Sequence, residues 1–140
     1  METLQDVLGN WPPGIKEARK NKEHLLIPAE EALTLVHGSE HPTKVTFLIS
    51  HDRCHVGVMD LSPGRHSDPE THLGDEVFMV LKGSVQLIIL DELEDAAAVS
   101  RTAHEVQEGQ KFLIPEGYAH QYCNLGAGLS RILFTVAPGL

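Results

Sequence analysis

The chain has 140 residues, of which 41% are hydrophobic and 22% are charged, so one soluble globular domain is expected. Eleven Lys and Arg residues stand against twenty Asp and Glu residues, which gives a formal net charge of −9 at pH 7. This charge repels phosphate backbones and anionic lipid surfaces, so the sequence predicts neither a nucleic-acid partner nor a membrane partner.

Targeting and redox signals are weak. No stretch approaches the roughly 20 apolar residues that a membrane span requires, and the N-terminal residues lack the basic-then-apolar order of a signal peptide. We therefore expect a cytoplasmic protein. Cys54 and Cys123 show no C-x-x-C spacing and predict two inert buried thiols. Nine histidines are many for this length, and those that converge in the fold are expected to have a specific role.

The first 22 residues differ in composition from the rest. They contain Pro12, Pro13 and Gly14, followed by a charged stretch, IKEARKNKE, that is typical of one or two turns of helix. We predict an N-terminal arm over residues 1–22 and one β-barrel domain over residues 23–140. Trp11 offers an apolar anchor by which the arm could cross to a second copy and cover an exposed sheet edge, so a homodimer is expected.

From His24 onward, short β-rich runs alternate with Gly, Pro, Asp and Ser, a pattern typical of an all-β sandwich or barrel. The predicted strands are 25–27, 33–36, 44–50, 55–61, 76–81, 85–90, 99–104, 111–114, 118–123 and 131–137. Residues 29–32 carry a weak helix signal. The acidic stretch 91–95 predicts the solvated tip of a hairpin.

Two stretches carry chemistry. In the first, PGRHSDPETHLGDEVFMVLKG at residues 63–83, Glu70 and His72 are two apart and share a face of an extended strand, and a turn at Gly74 brings Glu76 back to them. In the second, GQKFLIPEGYAHQYCN at residues 109–124, a Pro-Glu-Gly turn precedes a strand that carries His120. Four potential metal ligands are thereby available.

These stretches resemble the two motifs of the cupin superfamily. The first motif runs Gly, five residues, His, one residue, His, three or four residues, Glu, six residues, Gly, and Glu70 stands here where the family usually has its first histidine. The second motif is matched without a gap. The matching positions are Gly64, His72, Glu76 and Gly83 in the first motif and Gly109, Pro115, Gly117, His120 and Asn124 in the second.

The resemblance implies a small jelly-roll β-barrel with one metal site in its mouth, held by Glu70, His72, Glu76 and His120. Such a set of two imidazoles and two carboxylates suits one divalent transition metal ion per chain, namely Mn, Fe, Ni or Zn. Glu70 is either a ligand or a free general base. The motif glycines are expected to occupy turns with positive φ, and Asn124 to bond its own backbone at a turn.

Other side chains are candidates for contact with a substrate. Tyr118 and Tyr122 are predicted to share the strand face of His120. His55 is a candidate proton carrier, and Arg53 and Arg131 are candidates for an anion clamp. The sequence alone does not place them relative to the motifs.

The resemblance does not name a reaction, because this fold serves many chemistries. We expect a metal-dependent enzyme that acts on a small oxygen-rich metabolite, with isomerase or epimerase chemistry on a sugar or on a hydroxy or keto acid through a metal-stabilised enediolate. The alternatives are an Fe(II)-dependent cupin dioxygenase and a non-catalytic cupin that binds or senses a small ligand.

Overall fold

The computed structural model describes residues 9–92 and 99–139. A short helix, α1 (Ile15–Asn21), precedes the strands. Within the described ranges nine strands follow: β1 (Leu33–His37), β2 (Thr43–His51), β3 (Cys54–Leu61), β4 (Asp75–Lys82), β5 (Ser84–Glu92), β6 (Val99–Gln107), β7 (Lys111–Ile114), β8 (Ala119–Cys123) and β9 (Ser130–Ala137). No helix of this part of the chain is long and apolar enough to cross a membrane.

The strands form two antiparallel sheets. The larger has the order β1-β2-β3-β9-β4-β7, and the smaller has the order β6-β5-β8. Side chains alternate between the two faces of each strand, as on β3, where His55, Gly57, Met59 and Leu61 are buried and the residues between them are less so. The two inner faces pack together. The predicted all-β jelly-roll with a short N-terminal arm is confirmed.

The core contains apolar side chains from both sheets. The smaller sheet contributes Val85, Leu87, Val106 and Tyr122 to it. The contribution of the larger sheet consists of Val45, Phe47, Met59, Leu61, Phe78, Val80, Ile114, Ile132, Phe134 and Val136. Burial of apolar side chains such as these is the dominant favourable contribution to folding.

Two local predictions were wrong. The apolar run at 25–27 forms no strand, and Leu26 is 95% exposed. Residues 29 and 30 lie in a turn, and residues 31 and 32 form no helix. Pro28 has no backbone N–H to donate to a sheet, and four residues are too few to stabilise a helix. The hairpin expected around the acidic stretch is present, because β5 pairs with β6 as far as Glu92 and Val99. Its tip, residues 93–98, lies outside the described residues.

The described part of the arm rests on the barrel of the same chain. The backbone of Trp11 exchanges two hydrogen bonds with Ser50 of β2, at 2.8 and 2.9 Å. Ile15 and Ala18 of α1 are buried, and Arg19 pairs with Asp52 in the turn between β2 and β3. Both cysteines are free thiols, as expected, but each is only partly buried instead of buried.

Candidate metal centre

The segment between β3 and β4 runs along β8 and brings the two motifs together. Glu70 and His120 form an isolated antiparallel bridge, in which each backbone N–H donates to the other residue's carbonyl oxygen at 2.9 Å. Directly opposed residues in an antiparallel pair direct their side chains to the same face. Glu70 and His120, distant in sequence, therefore lie side by side.

His72 and Glu76 complete the cluster. The ligand atoms of Glu70, His72 and His120 all lie within 4.8 Å of one another. His72 Nε2 is 3.3 Å from Glu70 Oε2. Glu76, which is buried near the start of β4, has its Oε2 atom 2.8 Å from His120 Nε2. The structure thus brings together the four residues that the motifs singled out.

The donor atoms at this centre fit a divalent ion. The buried Nε2 atoms of His72 and His120 have no hydrogen-bond partner among the described residues, although carboxylate oxygens lie nearby. Buried polar atoms are nearly always satisfied, and an ion is one of the partners that account for exceptions. Imidazole nitrogens and carboxylate oxygens are ligands that divalent transition metals accept. The residues present are therefore suitable for holding such an ion.

A hydrogen bond on the side of the ring away from the centre orients His120. Its Nδ1 atom lies 3.0 Å from the carbonyl oxygen of Tyr118, which accepts a hydrogen bond from the ring N–H. In the neutral ring this contact leaves Nε2 unprotonated and directed into the centre. Metal-binding histidines are commonly fixed in this way, because the hydrogen bond selects the tautomer and the ring orientation.

Burial and neighbouring charges set the protonation of the centre. Burial alone would raise the pKa of Glu70, but His37 and His72 beside it lower that pKa to about 2. Burial acts to lower the pKa of His120, and the adjacent Glu76 raises that pKa overall. Burial, together with Glu76, raises the pKa of Tyr122 well above its usual value. At neutral pH Tyr122 therefore keeps its proton, and Glu70 is ionised as a metal ligand must be.

His37, at the end of β1, was not identified from the sequence. Its Nε2 atom lies 2.7 Å from Glu70 Oε1, and 57% of its side chain is exposed. The hydrogen bond to Glu70 raises the pKa of His37. No motif contains His37, and its contact with Glu70 depends on how β1 docks in the fold. The only sequence signal was its position immediately after a predicted strand.

The two tyrosine candidates are placed differently. Tyr122 is buried on the same face of β8 as His120, and its hydroxyl donates to Glu76 Oε2 at 2.9 Å. Tyr118 precedes β8, and its side chain is exposed. It contributes to the centre through its backbone carbonyl oxygen, which accepts the hydrogen bond from His120. Tyr122 therefore orients Glu76, a candidate ligand, through this hydrogen bond.

The remaining candidates do not line the cavity beside the centre. His55 is buried on β3, with its Nδ1 atom 2.6 Å from Ser50 Oγ, and burial lowers its pKa. Arg131 on β9 pairs with Asp60 at 2.7 Å. Arg53 is exposed in the turn that follows β2. Neither arginine lines the cavity beside the centre.

The structural roles expected for the motif residues are confirmed. Gly64, Gly83, Gly109 and Gly117 all have positive φ. Asn124 is buried, and its Oδ1 atom accepts the Gly126 N–H while its amide donates to the carbonyl oxygens of Leu61 and Gly128, each at 2.8 Å. Asn124 thus ties its own turn to the end of β3.

A cavity of about 460 Å³ opens beside the centre. Glu70, His72, Glu76 and His37 line it on one side. Pro69 and Thr71 of the segment between β3 and β4, together with side chains from β1, β2, β3 and β9, form the rest of its wall. A small molecule in this cavity can therefore reach the ligand cluster.

Comparisons with known proteins agree with this geometry. The chain matches the cupin domain family over residues 57–136. No curated protein matches it in sequence. Among solved structures, an oxalate oxidase in complex with the substrate analogue glycolate is 25% identical, with a TM-score of 0.52, over 61% of this chain and 42% of the oxidase. The chain spans about half the length of the oxalate oxidase structures to which it is similar.

More distant structures share the fold. A protein from Thermotoga maritima described as a predicted oxalate decarboxylase is 15% identical, with a TM-score of 0.63, over 81% of this chain and 99% of its own. Vicilin from Corylus avellana, the hazelnut, is 18% identical, with a TM-score of 0.62, over 80% of this chain and 33% of its own. The family match covers more than half of the chain and includes all four candidate ligands, so this chain belongs to the cupin family.

Proposed function

We propose that this chain is a metal-dependent enzyme that moves a proton between carbon and oxygen atoms of a small oxygen-bearing metabolite, as isomerases and epimerases do. The observation that supports the proposal is the convergence of Glu70, His72 and His120 beside a cavity. A divalent ion (Mn, Fe, Ni or Zn) held by these residues and Glu76 would supply Lewis-acid polarisation of a substrate oxygen.

The chain's own residues provide the means of proton transfer. His37 and Glu70 form an imidazole–carboxylate pair on the cavity wall, with 2.7 Å between Nε2 and Oε1. His37 is largely exposed, so it can exchange a proton with solvent and still reach a molecule in the cavity. Tyr122 holds Glu76, and the carbonyl oxygen of Tyr118 holds His120, so both ligand candidates keep their orientation.

A hydroxy or keto acid suits this site better than a sugar. Glycolate, the analogue bound in the oxalate oxidase, is itself a small hydroxy acid. An acid of this type can present two oxygens to one centre and needs few other polar partners. The sugar hydroxyls, in contrast, would need hydrogen-bond partners around the cavity.

Proton transfer is tested directly by deuterium exchange. We expect protein loaded with Mn or Zn to catalyse incorporation of deuterium from D₂O beside the carbonyl group of 2-oxo acids, measured by proton NMR. His72→Ala and His120→Ala should each hold far less than one metal ion per chain by elemental analysis and lose the exchange, since each change removes one of four ligands. His24→Ala, at an exposed histidine outside the motifs, is the matched control and should change neither.

The role of Glu70 is tested by Glu70→His. If Glu70 is a ligand, as we propose, the variant keeps its metal, and its preference moves towards the later ions of the Irving–Williams order. Elemental analysis after competition between Mn and Ni measures this preference. An unchanged preference together with a loss of exchange of about 10²–10⁴-fold would instead identify Glu70 as a general base.

The second candidate function is an Fe(II)-dependent dioxygenase. It is favoured by the two-histidine, one-carboxylate composition of the closest ligand cluster, a set that non-haem Fe(II) oxygenases use. Consumption of oxygen by Fe(II)-loaded protein in the presence of a 2-oxo or hydroxy acid, without deuterium exchange, would support it. Tight binding of such acids with neither reaction would indicate a non-catalytic ligand-binding cupin.

A further inference from the structure

The cavity beside the metal centre has a mostly apolar wall. Leu35, Val45, Phe47, Met59, Phe134 and Val136 line it, all from strands of the larger sheet. A volume of about 460 Å³ lies in the lower part of the range of small-molecule pockets. The wall therefore fits one small molecule with a hydrophobic surface.

The charged groups of the cavity are confined to the side of the centre. The ionisable side chains that line it are His37, Glu70, His72 and Glu76, and no Lys or Arg is among the described lining residues. A second carboxylate or a phosphate on the far part of a ligand would lie against apolar side chains without a cation beside it. Burial of an unpaired charge is costly, so the wall selects against such ligands.

The aromatic part of the wall is held in place by packing. Phe134 lies against the backbone of Gly57, where an added Cβ atom would be 2.6 Å from Phe134 Cζ. Phe47 meets Phe134 edge to face, with 6.0 Å between ring centroids and 89° between planes. With no space for the Phe134 ring to move towards β3, this side of the cavity is preformed and its shape can discriminate between ligands.

We propose that the substrate has one oxygen-bearing head that reaches the metal centre and an uncharged apolar body that fills the cavity. The role of the head rests on the proposed function, whereas the apolar body follows from the wall alone. Branched-chain or aromatic 2-oxo and 2-hydroxy acids have this chemistry. Oxalate, dicarboxylic acids and sugar phosphates do not.

Calorimetric titration of the zinc-loaded full chain tests the proposal with three acids that share one head. 4-Methyl-2-oxopentanoate should bind at least about tenfold more tightly than pyruvate, because burial of each additional methylene strengthens binding several-fold. It should also bind at least tenfold more tightly than 2-oxoglutarate, whose second carboxylate finds no cation. Equal affinities, or tighter binding of 2-oxoglutarate, would overturn the inference.

Variants of the wall localise the effect. Met59→Gln keeps the length of the side chain and makes its end polar, so the preference for 4-methyl-2-oxopentanoate over pyruvate should fall below about threefold. Leu35→Gln makes the same kind of change on the edge strand β1, where folding tolerates it better. Met79→Gln, on the outer face of β4, is the matched control and should keep the preference. An unchanged preference in both cavity variants would contradict the assignment of the wall.

Elemental analysis of the same samples separates this inference from the proposed function. Zinc bound at one ion per chain without any preference among the acids would contradict the apolar body and leave the metal centre standing. A preference for 4-methyl-2-oxopentanoate that persists in protein unable to bind zinc would support the apolar body and contradict the metal-dependent function.

Discussion

Tyr122 and Tyr118 differ in what their hydroxyl groups contact, although both flank His120 in sequence. The buried Tyr122 hydroxyl donates to Glu76 Oε2, while Tyr118 is exposed. Tyr122→Phe should leave Glu76 with a buried oxygen that lacks its phenolic donor. We expect zinc affinity to fall about 10–100-fold and the free energy of unfolding to fall by about 1–3 kcal/mol. Competition with a chelator and urea unfolding measure the two changes.

Tyr118→Phe is the matched control for that change. It removes the same hydroxyl from an exposed ring and leaves the carbonyl oxygen that holds His120 in place. Its free energy of unfolding should stay within about 0.5 kcal/mol of the parent protein. If both variants lost the same zinc affinity, Tyr122 would have no special role in positioning Glu76.

At Gly74 the neighbouring backbone leaves no space for a side chain. Its φ is not in the positive range, but a Cβ atom at this position would lie 2.5 Å from the carbonyl carbon and oxygen of Ala137. Because the obstacle is backbone, Gly74→Ala must displace the start of β4 from the end of β9. We expect the free energy of unfolding to fall by about 1–3 kcal/mol and zinc affinity to weaken, since Glu76 follows two residues later.

Gly128→Ala provides the comparison. An added Cβ atom there has no atom within 4 Å, and the φ of Gly128 is not positive. Urea unfolding should show a change of less than about 0.5 kcal/mol, with zinc affinity unaltered. Equal effects of the two substitutions would show that the close approach at Gly74 does not matter.

At the scale of elements, Asp68 connects the turn after β1 to the segment that carries Glu70. Its carboxylate accepts backbone N–H groups from Ser39 and His41 at 2.9 Å and from Glu40 at 3.2 Å. Although desolvation acts in the opposite direction, these three donors lower the pKa of Asp68. This contact keeps the end of β1, and so His37, beside Glu70.

Asp68→Ala should therefore loosen the turn after β1. We expect a lower Tm and faster amide hydrogen exchange at Ser39 and His41, because their N–H groups lose their acceptor. Asp68→Asn keeps one acceptor oxygen and should give an intermediate result. Glu40→Gln removes a charge from the same turn without removing the acceptor and should change little. Unaltered exchange in Asp68→Ala would mean that the turn does not depend on this carboxylate.

The elements that could be predicted from the sequence are those with a local signal. Short β-rich runs located the nine described strands to within three residues at each end, and the Gly, Pro, Asp and Ser residues between them marked their limits. His37 and Asp68 had no such signal, because each acts through a contact with a segment about 30 residues away. The run at 25–27 has the local signal of a strand but forms none, because a β-forming segment also needs a neighbouring strand to pair with.

At the scale of the whole molecule, both motifs were recognisable by their resemblance to those of cupins, and the strand period explains why Glu70 and His72 share a face. The pairing of Glu70 with His120 could not be derived that way, since it depends on the segment after β3 lying along β8. The apolar cavity wall could not be predicted from the sequence either, because its side chains come from four strands that are scattered along the chain. Spacing and the resemblance to cupins thus predicted which residues cluster as candidate metal ligands, and the tertiary fold determines what else surrounds them.

The expected homodimer remains a prediction at this scale. Trp11 pairs here with Ser50 of its own chain, and an arm that crosses to a second copy would make the same pairing there. The larger sheet ends in the unpaired edges of β1 and β7, and Val36 on β1 is 73% exposed. We expect sedimentation velocity to give twice the mass of one chain. Deletion of residues 1–14 should shift the protein towards monomer and leave zinc content unchanged, because the ligands lie between residues 70 and 120. A monomeric full-length chain, or a dimer unaffected by the deletion, would rule out an arm-mediated dimer.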